Sequence, residues 1–197
     1  MGKLVCGVGI NDADYVVSPL IDGVRVICPI YRAWHSMVSR CYSKNYSFSS
    51  SVVCDEWLIF SNFKRWAEQH QVEGRRLSKN LINGPTQLYS SENCVFISNK
   101  VSNILLTGES RRGLYPLGVS RHKNRFVARC NVNGVDKKIG RYPCIDTAHK
   151  AWQLFKAEII EEASYTQDDE RVVAALLKAA NKLRYEHAND IETTSCF

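Results

Sequence analysis

The chain has 197 residues, 45% of them hydrophobic, enough for one ordinary domain or two small ones to bury cores without disulfides or structural metals. No apolar run reaches the roughly 18 residues of a membrane span, and the start MGKLVCGVGIND lacks the long apolar centre of a secretory signal, so a cytoplasmic protein is expected. The net charge of +6 is unevenly placed: residues 106–144 carry nine Lys and Arg against two acids, while the remainder carries 17 against 18. So concentrated a positive field suits a polyanion, and nucleic acid is the first partner to consider.

The eight cysteines include no C-x-x-C pair and sit in apolar segments, which predicts reduced, partly buried thiols. A zinc site built from Cys28, Cys41, Cys54 and Cys94 lacks the close ligand pairs that such sites use, and plain packing is the expectation.

Residues 14–28, DYVVSPLIDGVRVIC, predict two short strands about an Asp-Gly turn, ended by Pro29. The run IYRAWHSMVSRCY puts Ile30, Trp34, Met37 or Val38 and Cys41 on one helical stripe. After the serine-rich loop SKNYSFSSS, the segment EWLIFSNFKRWAEQH repeats the pattern with Trp57, Phe60, Phe63 or Lys64, and Ala67. Trp34, Trp57, Phe60 and Phe63 read as core, not as base-stacking platforms.

RLSKNLI (76–82) and NCVFIS (93–98) predict strands joined by a loop containing Asn-Gly-Pro, and NKVSNILL predicts a short helix. Strand, loop, strand, helix is the plan of the ββα-metal nuclease motif. LLTGESRRGLYPLG, with three glycines and a proline, then reads as a linker. The expected organisation is a first domain over 1–106, a linker over 107–116, a second domain over 117–165, and a C-terminal helix and tail over 166–197.

In the second domain LGVSRH supplies one strand, and RFVARCNV alternates, with Phe126, Ala128, Cys130 and Val132 on one face and Arg125, Val127, Arg129 and Asn131 on the other. Asn133-Gly134 is a strong two-residue hairpin signal returning the chain through VDKKIGRY. That register sets Val132 against Val135, Ala128 against Ile139 and Arg129 against Lys138, and it points Lys137 inward with its stem snorkelling at the edge. A helix capped at Asp146 and burying Ala148, Trp152, Phe155 and Ile159 covers one sheet face. The last helix, DDERVVAALLKAANKLRYEH, has acids first and bases last, matching its dipole. Its stripe of Val172, Leu176, Ala179 and Leu183 docks on the second domain or forms a homodimer contact, and the tail ANDIETTSCF is expected to be loose.

Like charges directly across an antiparallel pair are unfavourable, so Arg129 opposite Lys138 is a pair that folding alone does not call for. A duplex lying on the open face would turn it to use. Arg129 and Arg121 are the candidates for base edges in the major groove, with Lys123, Lys138, Arg111 and Arg112 for phosphates and Arg125 and Arg141 beside them.

The runs GVGINDADY, CPIYRAWHSMVSRCYS, CDEWLIFSNFKRWAE, YSSENCVFISNKVSN and LGVSR…ARCNVNG…IGRYPCIDTAHKAWQLFKAE together resemble phage-encoded HNH homing endonucleases with a C-terminal APETALA-type DNA-binding domain. The resemblance runs from Gly7 to about residue 188. It implies an α+β chain: an HNH-like ββα-metal domain, then a three-stranded antiparallel sheet packed on a helix, then a C-terminal helix. It also implies double-stranded DNA as partner and the cytoplasm of an infected bacterial host as location.

Where that family has metal-binding carboxylates, this chain has Ser78 and Asn80; Lys79 stands at the position of the general-base histidine, while Asn93 and Asn103 still match. Mg²⁺ normally needs one or two carboxylates, and a lysine is normally protonated at neutral pH. His35 and His70 lie on the predicted helices, and Glu92 is the one acid near the pocket. The leading expectation is therefore a DNA-binding descendant without cleavage and without a cofactor. Such a protein would act as a repressor, replication competitor or counter-defence factor. The alternatives are an active endonuclease using Mg²⁺ or Mn²⁺ through Asn80, Asn93, Asn103 and Glu92, and an interaction protein whose basic sheet meets an acidic protein or RNA.

Overall fold

The computed structural model describes residues 4–44, 50–105 and 114–195. The protein is a mixed α+β chain of two compact units, Met1–Ser98 and Asn99–Phe197.

In the first unit β1 (Leu20–Ile21) and β2 (Val24–Arg25) form the expected hairpin about Asp22-Gly23. Helix α1 (Pro29–Tyr42) starts with Pro29 in its first turn, where the missing N–H is no loss, and buries Trp34, Met37 and Val38. The stretch 56–70 does not form the single helix its periodicity predicts. A 3-10 turn (Asp55–Leu58) is followed by Ile59 in extended conformation, and only then by α2 (Phe60–Ala67).

The break has a non-local cause. The Ile10 amide donates to the Leu58 carbonyl at 2.8 Å and the Phe60 amide to the Ile10 carbonyl at 2.9 Å, pulling Ile59 into a short parallel bridge. The exposed α2 start is capped from afar by Asp12, whose Oδ1 accepts from the Ser61 amide at 2.8 Å.

Trp34, Trp57, Phe60 and Phe63 are all buried, and the Trp34 indole donates to the Trp57 carbonyl at 2.7 Å, so this aromatic set is core as expected. Strand β4 (Arg75–Ser78) pairs antiparallel with β6 (Val95–Ser98), in register from Arg75 opposite Ser98 to Ser78 opposite Val95. Between them β5 (Leu88–Tyr89) pairs in parallel with β3 (Val52–Val53).

The second unit opens with α3 (Asn99–Leu105). Strands β7 (Val119–His122), β8 (Arg125–Val132) and β9 (Val135–Tyr142) form an antiparallel sheet in chain order. Asn133 and Gly134 both take positive φ, 54° and 86°, as the tight hairpin requires. Val132 faces Val135 and Arg129 faces Lys138, as expected. Ala128, however, pairs with Gly140: Ile139 is an extra residue on β9, a β-bulge.

Helix α4 (Ile145–Ser164) packs on the sheet face that carries Ala128 and Cys130. Its N-cap is Cys144, not Asp146, which falls in the first turn; Ala148, Trp152 and Ile159 are buried and Phe155 partly so. Lys137 points to this side, its ammonium 4.8 Å from the Phe155 ring centre at the exposed edge, the snorkelling expected of it. The Trp152 indole lies where a side chain at Gly118 would sit. The buried ammonium of Lys156 donates to the Ile104 carbonyl and so ties α3, at its C-terminal end, to α4.

Helix α5 (Glu170–Ala188), capped by the Asp169 side chain, lays Val172, Leu176, Ala179 and Leu183 against α4 within the same chain. As far as Ser195 the tail is held, not loose. Thr193 is fully buried: its amide donates to His149 Nε2 at 3.0 Å, and its hydroxyl accepts from the Gln153 side chain at 3.0 Å and donates to Glu186. Gln153 also donates to the Ile191 carbonyl at 2.9 Å, and Lys182 to the Ser195 carbonyl at 2.6 Å.

Candidate nucleic-acid interface

Side chains on directly opposed residues of a sheet share a face. The face away from α4 therefore carries Ser120 and His122 from β7, Arg125, Val127, Arg129 and Asn131 from β8, and Asp136, Lys138 and Arg141 from β9. All are exposed except Val127, which is buried. The bulge matters here. Lys138 and Arg141 are three residues apart, and in a strand that paired Ile139 regularly they would point to opposite sides. The outcome is four cationic side chains, Arg125, Arg129, Lys138 and Arg141, on one exposed surface with a single acid, Asp136.

That acid changes the reading of the like-charge pair. Arg129 Nη1 forms an ion pair with Asp136 Oδ2, and both side chains are about half exposed. Asp136 is two residues before Lys138 on the same face, so it lies diagonally across from Arg129 and offsets the repulsion. A reading of directly opposed residues alone does not reveal Asp136, which stands opposite Asn131.

Arg121 does not join this surface. It pairs with Phe126, on the α4 side, because the two-residue turn Lys123-Asn124 sets His122, not Arg121, opposite Arg125. Its Nε donates to the Lys123 carbonyl at 3.2 Å, at the exposed turn. Lys123 occupies that turn with φ 53° and is exposed. Arg111 and Arg112 lie outside the described residues, as does most of the expected linker.

The second candidate site is the loop between β4 and β6. Lys79, partly buried, donates to the Asn80 Oδ1 at 3.0 Å and to the Thr86 carbonyl, and stands 5.6 Å from the Tyr89 ring centre. Asn93 accepts from the Asn83 side chain at 2.8 Å and donates to the Leu88 carbonyl at 3.2 Å. Ser78 ends β4, and Glu92 is exposed in the turn before β6. Asn103 lies on α3 in the second unit.

Sequence reasoning also missed Arg40. Burial pushes the Tyr89 phenol up, opposed by the charge and hydrogen bond of Arg40. Burial likewise raises the Cys41 thiol, opposed by Arg40 and Lys79. Two cations, Arg40 and Lys79, thus act on the side chains around this loop. Among the described residues no three His, Cys, Asp or Glu side chains gather at metal-ligand spacing, and no disulfide forms.

A third concavity, a cleft of about 390 Å³ beside the α4 N-terminus, is lined by Asp146, Asp190 and Glu192 with Lys150, whose ammonium is paired with Asp190. Its acidic lining is unsuited to a phosphate backbone. Among the described residues no helix is long and apolar enough to cross a membrane. No family model matches the chain, and neither a curated protein nor a solved structure is significantly similar to it.

Proposed function

We propose that this chain binds double-stranded DNA by laying the outer face of β7–β9 in the major groove, and that it descends from phage HNH homing endonucleases but acts without cleavage. The observation that carries the reading is the grouping of Arg125, Arg129, Lys138 and Arg141 on one exposed face around a single acid. Phosphate contacts from such residues supply most non-specific affinity, and arginine is the side chain best shaped to read a guanine edge. Along the chain β4, a loop and β6 are followed by α3, the order of a ββα-metal motif, with α3 belonging to the second unit. The acidic positions are Ser78 and Asn80, and Lys79 and Asn93 hold the loop together. A repressor, a replication competitor or a counter-defence factor in an infected bacterium would each use this binding.

The test is fluorescence anisotropy with a labelled duplex at about 50 mM salt. Replacing both Arg129 and Lys138 by alanine is expected to weaken binding at least tenfold and to flatten the salt dependence by about 0.9 log units per log salt, for the phosphate contact of Lys138. Unchanged affinity would remove the sheet from the interface. Incubation with DNA and Mn²⁺ is expected to leave the DNA intact. Cleavage that Asn103→Ala abolishes would replace this reading with a nuclease.

A further inference from the structure

We infer that Asp136 is a specificity-determining positioning residue: by holding the Arg129 guanidinium it commits that arginine to a base edge, while the other cations of the face serve phosphates. The inference rests on the DNA-binding reading above and refines it.

Four basic side chains share the face, but only one of them has an acidic partner there. Arg125, Lys138 and Arg141 have no described ion pair, whereas Arg129 is tied to Asp136. An exposed arginine is a long, flexible chain whose end samples many positions. Arg129 is restrained on two sides. Lys138 directly opposite repels it, and Asp136 diagonally across attracts it. The pair engages one terminal nitrogen, Nη1. The guanidinium has five N–H donors, so its fork keeps donors enough for the O6 and N7 acceptors of a guanine.

The same carboxylate has a second effect. A phosphate approaching Arg129 meets the Asp136 charge within contact distance of the guanidinium, so Arg129 is a poor phosphate clamp, while a base edge, which is neutral, does not suffer that repulsion. One acid thus divides the labour of the face. Asp136 is the second residue of β9, two after Gly134, so this pair lies near the hairpin end of the sheet.

The experiment compares wild type, Asp136→Asn and Asp136→Glu against a duplex selected from a random library by the wild-type protein and against a scrambled duplex of equal length. Asparagine keeps the shape of the side chain on an exposed strand, and circular dichroism confirms that the variants fold. In Asp136→Asn, affinity for the scrambled duplex is expected to stay level or rise, because a negative charge has left the interface. The preference for the selected duplex should fall by about tenfold, and the salt dependence on the scrambled duplex should steepen by about 0.9, as Arg129 becomes free to meet a phosphate. Asp136→Glu should recover part of the preference.

A wild-type preference retained by Asp136→Asn would overturn the inference and leave the DNA-binding reading standing. So would a wild-type protein that binds every duplex equally. Absence of duplex binding by the wild type would instead refute the reading on which the inference rests.

Discussion

Gly118 and Gly134 bracket a test of what holds the sheet against α4. Both have positive φ, 76° and 86°, so alanine at either costs about 1–2 kcal/mol from the left-handed backbone alone. They differ in their surroundings. A Cβ on Gly134 meets nothing within 4 Å, whereas one on Gly118 falls 2.0 Å from Trp152 Cδ1 and 2.1 Å from Cγ.

Carbon atoms rest about 3.5 Å apart, so the indole or the strand must retreat by about 1.5 Å. Trp152 has little room to move: it is 4% exposed, with the His149 ring stacked 5.5 Å away at 16°. Overpacking of this kind adds about 1–3 kcal/mol, which puts Gly118→Ala at about 2–5 kcal/mol and Gly134→Ala at about 1–2.

Urea unfolding followed by far-UV circular dichroism measures both. A double-mutant cycle with Trp152→Leu isolates the contact and should return a coupling above about 1 kcal/mol. Equal losses at the two glycines, or a cycle without coupling, would refute the claim that the indole is what requires glycine at 118. Because the Gly118 carbonyl accepts from the Arg129 amide at 2.8 Å, Gly118→Ala should also weaken duplex binding, and Gly134→Ala should not.

Removing the distant cap with Asp12→Ala should cost about 1 kcal/mol in chemical denaturation. Burial alone would raise the Asp12 carboxyl, but its hydrogen bonds with Ser61 hold it below the ordinary value. The contribution is therefore present above the unfolded value near pH 4 and is lost as pH falls through the folded one, so Asp12→Asn should flatten the acid limb of the stability curve. Thr193→Val leaves the buried Gln153 amide short of an acceptor and should cost about 1–3 kcal/mol, with faster hydrogen exchange at the Thr193 amide. Lys156→Met keeps the buried stem but not the donor to Ile104, and should speed exchange in α3 by about tenfold while leaving α5 protected.

What the sequence disclosed about the fold was what local pattern carries. Alternation and Asn133-Gly134 placed β8 and β9 and two of their register pairs, Val132 with Val135 and Arg129 with Lys138. The aromatic spacing of α1 and α2 marked Trp34, Phe60 and Phe63 as core. Features set by distant partners were illegible. Ile59 leaves the helix because Ile10 claims the neighbouring peptide groups, and β3 meets β5 over a parallel pair of two residues each, too short to leave a pattern. The tail showed only polar residues, and nothing in their spacing says that Thr193 fits between His149, Gln153 and Glu186. In the candidate interface the cations were readable, but the Asp136 partner required a diagonal neighbour to be considered, and the fate of Arg121 depended on the turn that fixes β7 against β8.

Ile139 gives the outer strand one residue more than its partner needs, and its being left unpaired, not the chemistry of its neighbours, decides which way Arg141 looks. Were Ile139 instead paired with Ala128, Arg141 would fall opposite Phe126 and turn toward the helix, whereas deleting Ile139 would straighten the strand and keep Lys138 and Arg141, then two residues apart, on one side. A surface assembled by skipping one residue can be lost by a shift in pairing alone, without any substitution at all.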